Sequence, residues 1–166
     1  MLLYYKLSMI ITEVKSKADK KAFLNVARII YKNDKNWICP LDNDIEAVFD
    51  PTKNNFHQHG KCTRWILTDN NCQLIGRVAA FINDKKAYGY EQPTGGMGFF
   101  ESIEDEKAAF LLFDTAKNWL KENGMQAMDG PINFGENDNF WLKTLDNSQP
   151  AEPKPRQSYG GINRPP

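Results

Sequence analysis

Two hydrophobic periods alternate along the chain, and the switches between them set out an α/β order of elements. Ile10-Ile11-Thr12-Glu13-Val14 is short and rich in branched residues, as a strand is. Ser16 can then cap a helix, Asp19 sits in its first turn, and Ala22, Phe23, Val26, Ile29 and Ile30 recur at helical spacing, which predicts a helix over about 17–32. Pro40 keeps residues 37–41 extended, residues 42–49 form a short helix stopped by Asp50-Pro51, and residues 54–60 are a loop. Strands over 62–68 and 73–83 follow, joined by the turn Asp69-Asn70-Asn71 into an antiparallel hairpin.

Residues 88–96 are loop-like, and Met97-Gly98-Phe99-Phe100 has the short apolar run of a central strand. Ser102 is expected to cap the longest helix, whose stripe is Ala108, Ala109, Leu112, Phe113, Ala116, Trp119 and Leu120 and whose stop is Gly124. So wide a stripe implies packing on a sheet. Residues 125–128 give a last strand, parallel to the one before the helix because a helical crossover joins them. Phe110, Phe113 and Trp119 fall at helical spacing and, with Trp37, Trp65 and Phe81, are expected in the core.

Length and charge narrow the classes of function. A chain of 166 residues with 41% hydrophobic content forms one domain plus tails. Basic and acidic side chains number 21 each, so no net field draws in nucleic acid or an anionic membrane surface. Residues 1–8 lack a basic first region and are too short for a signal or spanning helix, which makes them an extension and favours a cytoplasmic location. Cys39, Cys62 and Cys72 are an odd number at spacings of neither a disulfide framework nor a zinc site. His57, His59 and Cys62 lack a fourth ligand, so no metal is expected. Residues 142–166 hold five of the nine prolines, carry no apolar period and are expected to be a disordered tail.

Four motifs go further: Pro51-Thr52-Lys53-Asn54-Asn55-Phe56-His57-Gln58-His59, Ile75-Gly76-Arg77-Val78-Ala79-Ala80, Gly98-Phe99-Phe100-Glu101-Ser102, and Asp129-Gly130-Pro131 with Asn133-Phe134. With the element order, they resemble bacterial proteins of the GNAT superfamily, the acyl-CoA N-acyltransferases, over residues 9–141. The resemblance implies an α/β GNAT-like domain: a mixed central sheet with packed helices, broken off after its first two-thirds so that the C-terminal strands are missing.

It also implies acetyl-CoA or another acyl-CoA as cofactor, lying in a gap between the strand at 97–100 and the strand at 125–128. Backbone contacts would come from Phe99, Phe100 and Glu101, with Asn133 at the end of the next strand. Glu101 would be the catalytic base acting on a small-molecule amine, its alternative being a charge in the first turn of the helix.

One departure weakens the cofactor expectation. GNAT domains carry a glycine-containing loop whose N–H groups converge on pyrophosphate, whereas this chain has Glu101-Ser102-Ile103-Glu104-Asp105-Glu106. Four carboxylates in six residues repel an anion. The competing expectation is therefore an inactive module that packs on a partner domain or forms a homo-dimer through an exposed sheet edge.

Overall fold

The computed structural model describes residues 8–89, 91–132 and 134; the expectations for 1–7, Asn133 and 135–166 lie outside them. Five strands form one mixed sheet in sequential order. They are β1 (Ile10–Glu13), β2 (Gly60–Thr68), β3 (Leu74–Asn83), β4 (Thr94–Ser102) and β5 (Ala127–Asp129). The first four pair antiparallel, and β4 and β5 pair parallel. Helices α1 (Lys17–Ile30) and α2 (Asp42–Phe49) lie between β1 and β2, α3 (Asp84–Ala87) between β3 and β4, and α4 (Glu106–Glu122) between β4 and β5.

Alternation along β2 and β3 divides the core into two layers. Trp65, Leu67, Val78, Ala80 and Ile82 share a cluster with the α4 seam Ala108, Leu112, Ala116 and Leu120. The opposite face carries Ile66 against Phe23 and Val26 of α1 and Ile45 of α2. Phe110 departs from the expected core: it is 57% exposed, because it lies two residues, about 200° of helical rotation, from Leu112 in the buried seam. Trp37 is only half-buried, stacked on Tyr31 with centroids 5.4 Å apart.

Ser16 caps α1 as expected and completes a capping box with Asp19, whose carboxylate the Ser16 and Lys15 backbone N–H groups hold below its ordinary range. Ser102 does not cap α4. It ends β4, and Ile103 still donates to Ile75 O at 2.9 Å, so the chain turns into the helix three residues later than expected. Asp105 is the cap, its Oδ1 accepting from Ala108 N at 3.0 Å.

At the far end Gly124 takes φ +85°, and the Met125 N–H returns to Leu120 O, a six-to-one closure that delays β5 to Ala127. β4 begins at Thr94, inside the stretch expected to be loop, because Thr94, Gly95 and Gly96 pair with β5. Residues 55–59 form a 3-10 turn rather than open loop.

Candidate functional site at the end of strand β4

β4 outruns its parallel neighbour. The ladder to β5 covers Thr94 to Gly96, the Ile132 N–H adds one bond to Met97 O at 2.8 Å, and β4 continues to Ser102. Within that extension the register to β3 slips: Ala79 faces Gly98 and Arg77 faces Glu101, so Val78 stands opposite two residues. This is a β-bulge, and Phe99 in it takes φ +50°, a conformation a phenylalanine holds only when its surroundings impose it.

The surroundings are aromatic. Phe99 lies 5.2 Å from Phe49 and 6.1 Å from Phe23, ring centre to ring centre, on the α1/α2 face. Phe100 points the other way and stacks on Phe113 of α4 at 4.5 Å. Both rings are thus committed to packing.

Glu101 returns to the α1/α2 face. Its Oε2 accepts from Arg77 Nε, in an ion pair whose side chains are 17% and 3% exposed. Arg77 also donates through NH1 to Phe23 O at 2.9 Å, and its guanidinium carbon lies 4.8 Å from the Phe23 ring centre. Glu101 is therefore a strand residue in a part-buried ion pair, and the alternative of a charge in the first helical turn is corrected: α4 begins at Glu106. Tyr31, the C-cap of α1, has its phenol raised by burial and by the charge of Glu101 and lowered by Arg77, which places it beside the pair.

A second buried cation stands two residues along the same face. Arg64 makes a two-pronged ion pair with Glu46 of α2 at 2.7 and 3.0 Å and lies 4.0 Å from the Phe49 ring centre and 4.9 Å from that of Phe23. Neither arginine was among the expected site residues. For Arg77 the available signal was a cation inside a strand otherwise apolar along nearly its whole length, since a charged side chain there must find a partner, whereas Lys61 and Thr63 beside Arg64 in β2 mask the same signal.

His57 and Cys62 do approach one another, at 3.9 Å, but His57 Nε2 lies 3.2 Å from Val48 O and its ring packs edge-on against Phe134. Burial pushes the Cys62 thiol up to about 11. Among the described residues no three metal-ligating side chains come together. Asn133, expected to contribute to the cofactor contacts, lies outside the described residues. No helix among them is long and apolar enough to cross a membrane.

No family model matches the chain. Over 122 residues it is 30% identical to Protein YghO of Escherichia coli, covering 74% of this chain and 31% of that protein. Over 134 residues it is 31% identical to a bacterial ceramide synthase of Caulobacter vibrioides, covering 78% of this chain and 34% of that protein. The chain thus spans about a third of the length of these relatives. A predicted acetyltransferase with acetyl-CoA from Clostridium acetobutylicum superposes with a TM-score of 0.55 at 14% identity, over 87% of this chain and 96% of the other. The fold is the GNAT-like α/β fold, a mixed five-stranded sheet with packed helices.

Proposed function

We propose that this GNAT-like chain belongs to an acyl-CoA-dependent N-acyltransferase and forms the part that holds the acyl donor and receives the amine. The observation that carries the reading is that, among the described residues, the β4–β5 ladder stops at Gly96 while β4 runs on through a bulge to Ser102. We assign the backbone of Phe99, Phe100 and Glu101 to an extended ligand lying there as an added strand, and name Asn133 as a further contact for it. A bound acyl-CoA supplies a thioester carbonyl that an amine nitrogen can attack. Backbone N–H groups of β4 would stabilise charge on the carbonyl oxygen and Glu101 would take the proton the amine gives up, while the C–S bond breaks, the amide forms and coenzyme A leaves as its thiolate. The acceptor is a small-molecule amine, and the compartment is the cytoplasm. Likeness to a protein named for making ceramide, which is an amide, supports an amine acceptor.

The chain's residues suit the two ends of such a donor unequally. The β4 edge suits the amide-bearing arm. At the start of α4 the Asp105 carboxylate already takes the Ala108 N–H, and Glu104 and Glu106 flank it, so the pyrophosphate end meets negative charge. This observation favours a second reading, an inactive module that packs on a partner domain or on a second copy.

Calorimetric titration of the purified chain with acetyl-CoA separates the two. Saturable heat is expected, and no heat at millimolar ligand removes the first reading. Light scattering behind size exclusion tests the second, which a monomer that binds acetyl-CoA overturns.

A further inference from the structure

We infer that Arg77 is a positioning residue that aims Glu101 at the ammonium group of a primary amine; the inference rests on the reading of Glu101 as the group that meets the acceptor. Arg77 is held at both ends of its guanidinium. NH1 is bonded to Phe23 O, in the middle of α1, and Nε is bonded to Glu101 Oε2. The Phe23 ring beneath the guanidinium fixes its plane. A planar fork with both prongs engaged passes its orientation to the carboxylate, which a point charge on a flexible stem does not do. Oε2 is thereby used, and among the described residues nothing donates to Oε1. The Glu101 side chain keeps 17% of its surface exposed at the end of β4, on the face where Tyr31 and Phe99 gather.

Coulomb's law and orientation make opposite predictions for the removal of Arg77. If Arg77 merely neutralises Glu101, deleting the cation leaves a more negative site that binds ammonium more tightly. If Arg77 aims the carboxylate, deletion weakens binding even though a repelling charge is gone.

The experiment titrates n-butylammonium chloride into the isotope-labelled full chain at constant ionic strength, with sodium chloride as control, and follows nuclear magnetic resonance signals. The Glu101 amide and the Arg77 Nε–H are expected to shift together and to saturate. Glu101→Gln is expected to abolish the effect, and Arg77→Met to weaken binding about tenfold or more, the scale of one misaligned charge-assisted contact. Equal or tighter binding by Arg77→Met overturns the inference. So does an Arg77 Nε–H signal in the unsubstituted chain that does not move, a result that needs no folded variant.

Acetyl-CoA added to the same sample separates the two levels of the reading. Acetyl-CoA binding with no butylammonium effect removes the role of Arg77 and leaves acyl transfer. A butylammonium effect without acetyl-CoA binding removes acyl transfer and leaves the amine site.

Discussion

Breaking the Arg64–Glu46 pair from its two sides is expected to cost unequal amounts. The side chains are 4% and 27% exposed, so the cation is locked in while the carboxylate keeps a path to water. Glu46→Ala strands a buried guanidinium. Losing one partner of a buried pair costs about 3–5 kcal/mol, and the half-open position of Glu46 brings this towards the lower bound. The Phe23 and Phe49 ring faces continue to attract the cation and return about 1 kcal/mol, which leaves a loss of about 2–3 kcal/mol.

Arg64→Met fills the same space with an apolar stem and leaves Glu46 to rehydrate, so its cost is about 1 kcal/mol or less. Alanine is the better helix former in α2 by a few tenths of a kcal/mol, an effect that opposes the expected order and cannot produce it. Urea unfolding followed by tryptophan fluorescence measures both variants, and an unchanged slope shows that only stability has moved. Arg64→Met proving as costly as Glu46→Ala would refute the argument that the stranded cation dominates.

Three further outcomes follow from contacts near the site. A Cβ on Gly76 meets Leu112 Cδ1 at 2.7 Å and Glu101 O at 3.0 Å, so Gly76→Ala is expected to cost about 1–3 kcal/mol by overpacking. Leu112→Ala alone costs about 3–4 kcal/mol; the double variant in urea should cost less than the sum, and strict additivity would count against the clash.

Cys62, with its thiol pushed up to about 11, should react with a disulfide reagent at pH 8 on the order of a hundredfold more slowly than exposed Cys39 and Cys72. Because its folded value lies above the unfolded one, the folded state binds more protons there. Its contribution is complete below about 8.5 and falls as pH rises towards about 11, a slope that Cys62→Ala should remove and that would be absent from the start if the thiol were solvated. Asp105→Asn keeps a side-chain acceptor for the Ala108 N–H, so stability should stay within about 0.5 kcal/mol while acetyl-CoA binds more tightly in calorimetry; unchanged affinity would remove charge repulsion as the obstacle.

Most of the fold was legible because its elements carry local signals. The Ser16 cap with Asp19 three residues on, the stripe from Ala108 to Leu120 and the Gly124 stop are decided within a few residues of themselves, and all three hold. The parallel pairing of β4 and β5 followed from chain connectivity. The misses lie where a distant partner overrides the local signal. Ser102 is as good a cap as Asp105 by residue type, but Ile75 O holds the chain in the sheet through Ile103, a contact 28 positions away that no local window contains. Thr94 to Gly96 look like loop because glycine is a poor strand former, yet bulk from elsewhere fills their places. A Cβ on Gly96 would meet the Phe81 ring at 2.2 Å, and one on Gly95 would meet Leu120 Cδ2 at 2.4 Å, so these positions exclude a side chain.

The same distinction explains the site. Glu101 directly follows the apolar run Met97 to Phe100, which is a local fact. Its partner is set by register: Arg77 faces Glu101 only because the bulge at Phe99 inserts one residue between Gly98 and Glu101, and without it the two side chains would lie on opposite faces of the sheet. Nothing in residues 97–101 announces a bulge, since Phe99 is not a residue that favours positive φ. What supports the conformation is the aromatic cluster from α1 and α2 around its ring, two elements that precede it by more than 49 positions. Thus α1 and α2 act on the site twice, through the Phe23 carbonyl that orients Arg77 and through the Phe23 and Phe49 rings that hold the bulge. A cavity at Phe49 should therefore disturb Glu101 although the two side chains do not share a hydrogen bond, while a cavity of equal size at Leu112, on the other layer, should lower stability and leave the orientation of Glu101 unchanged.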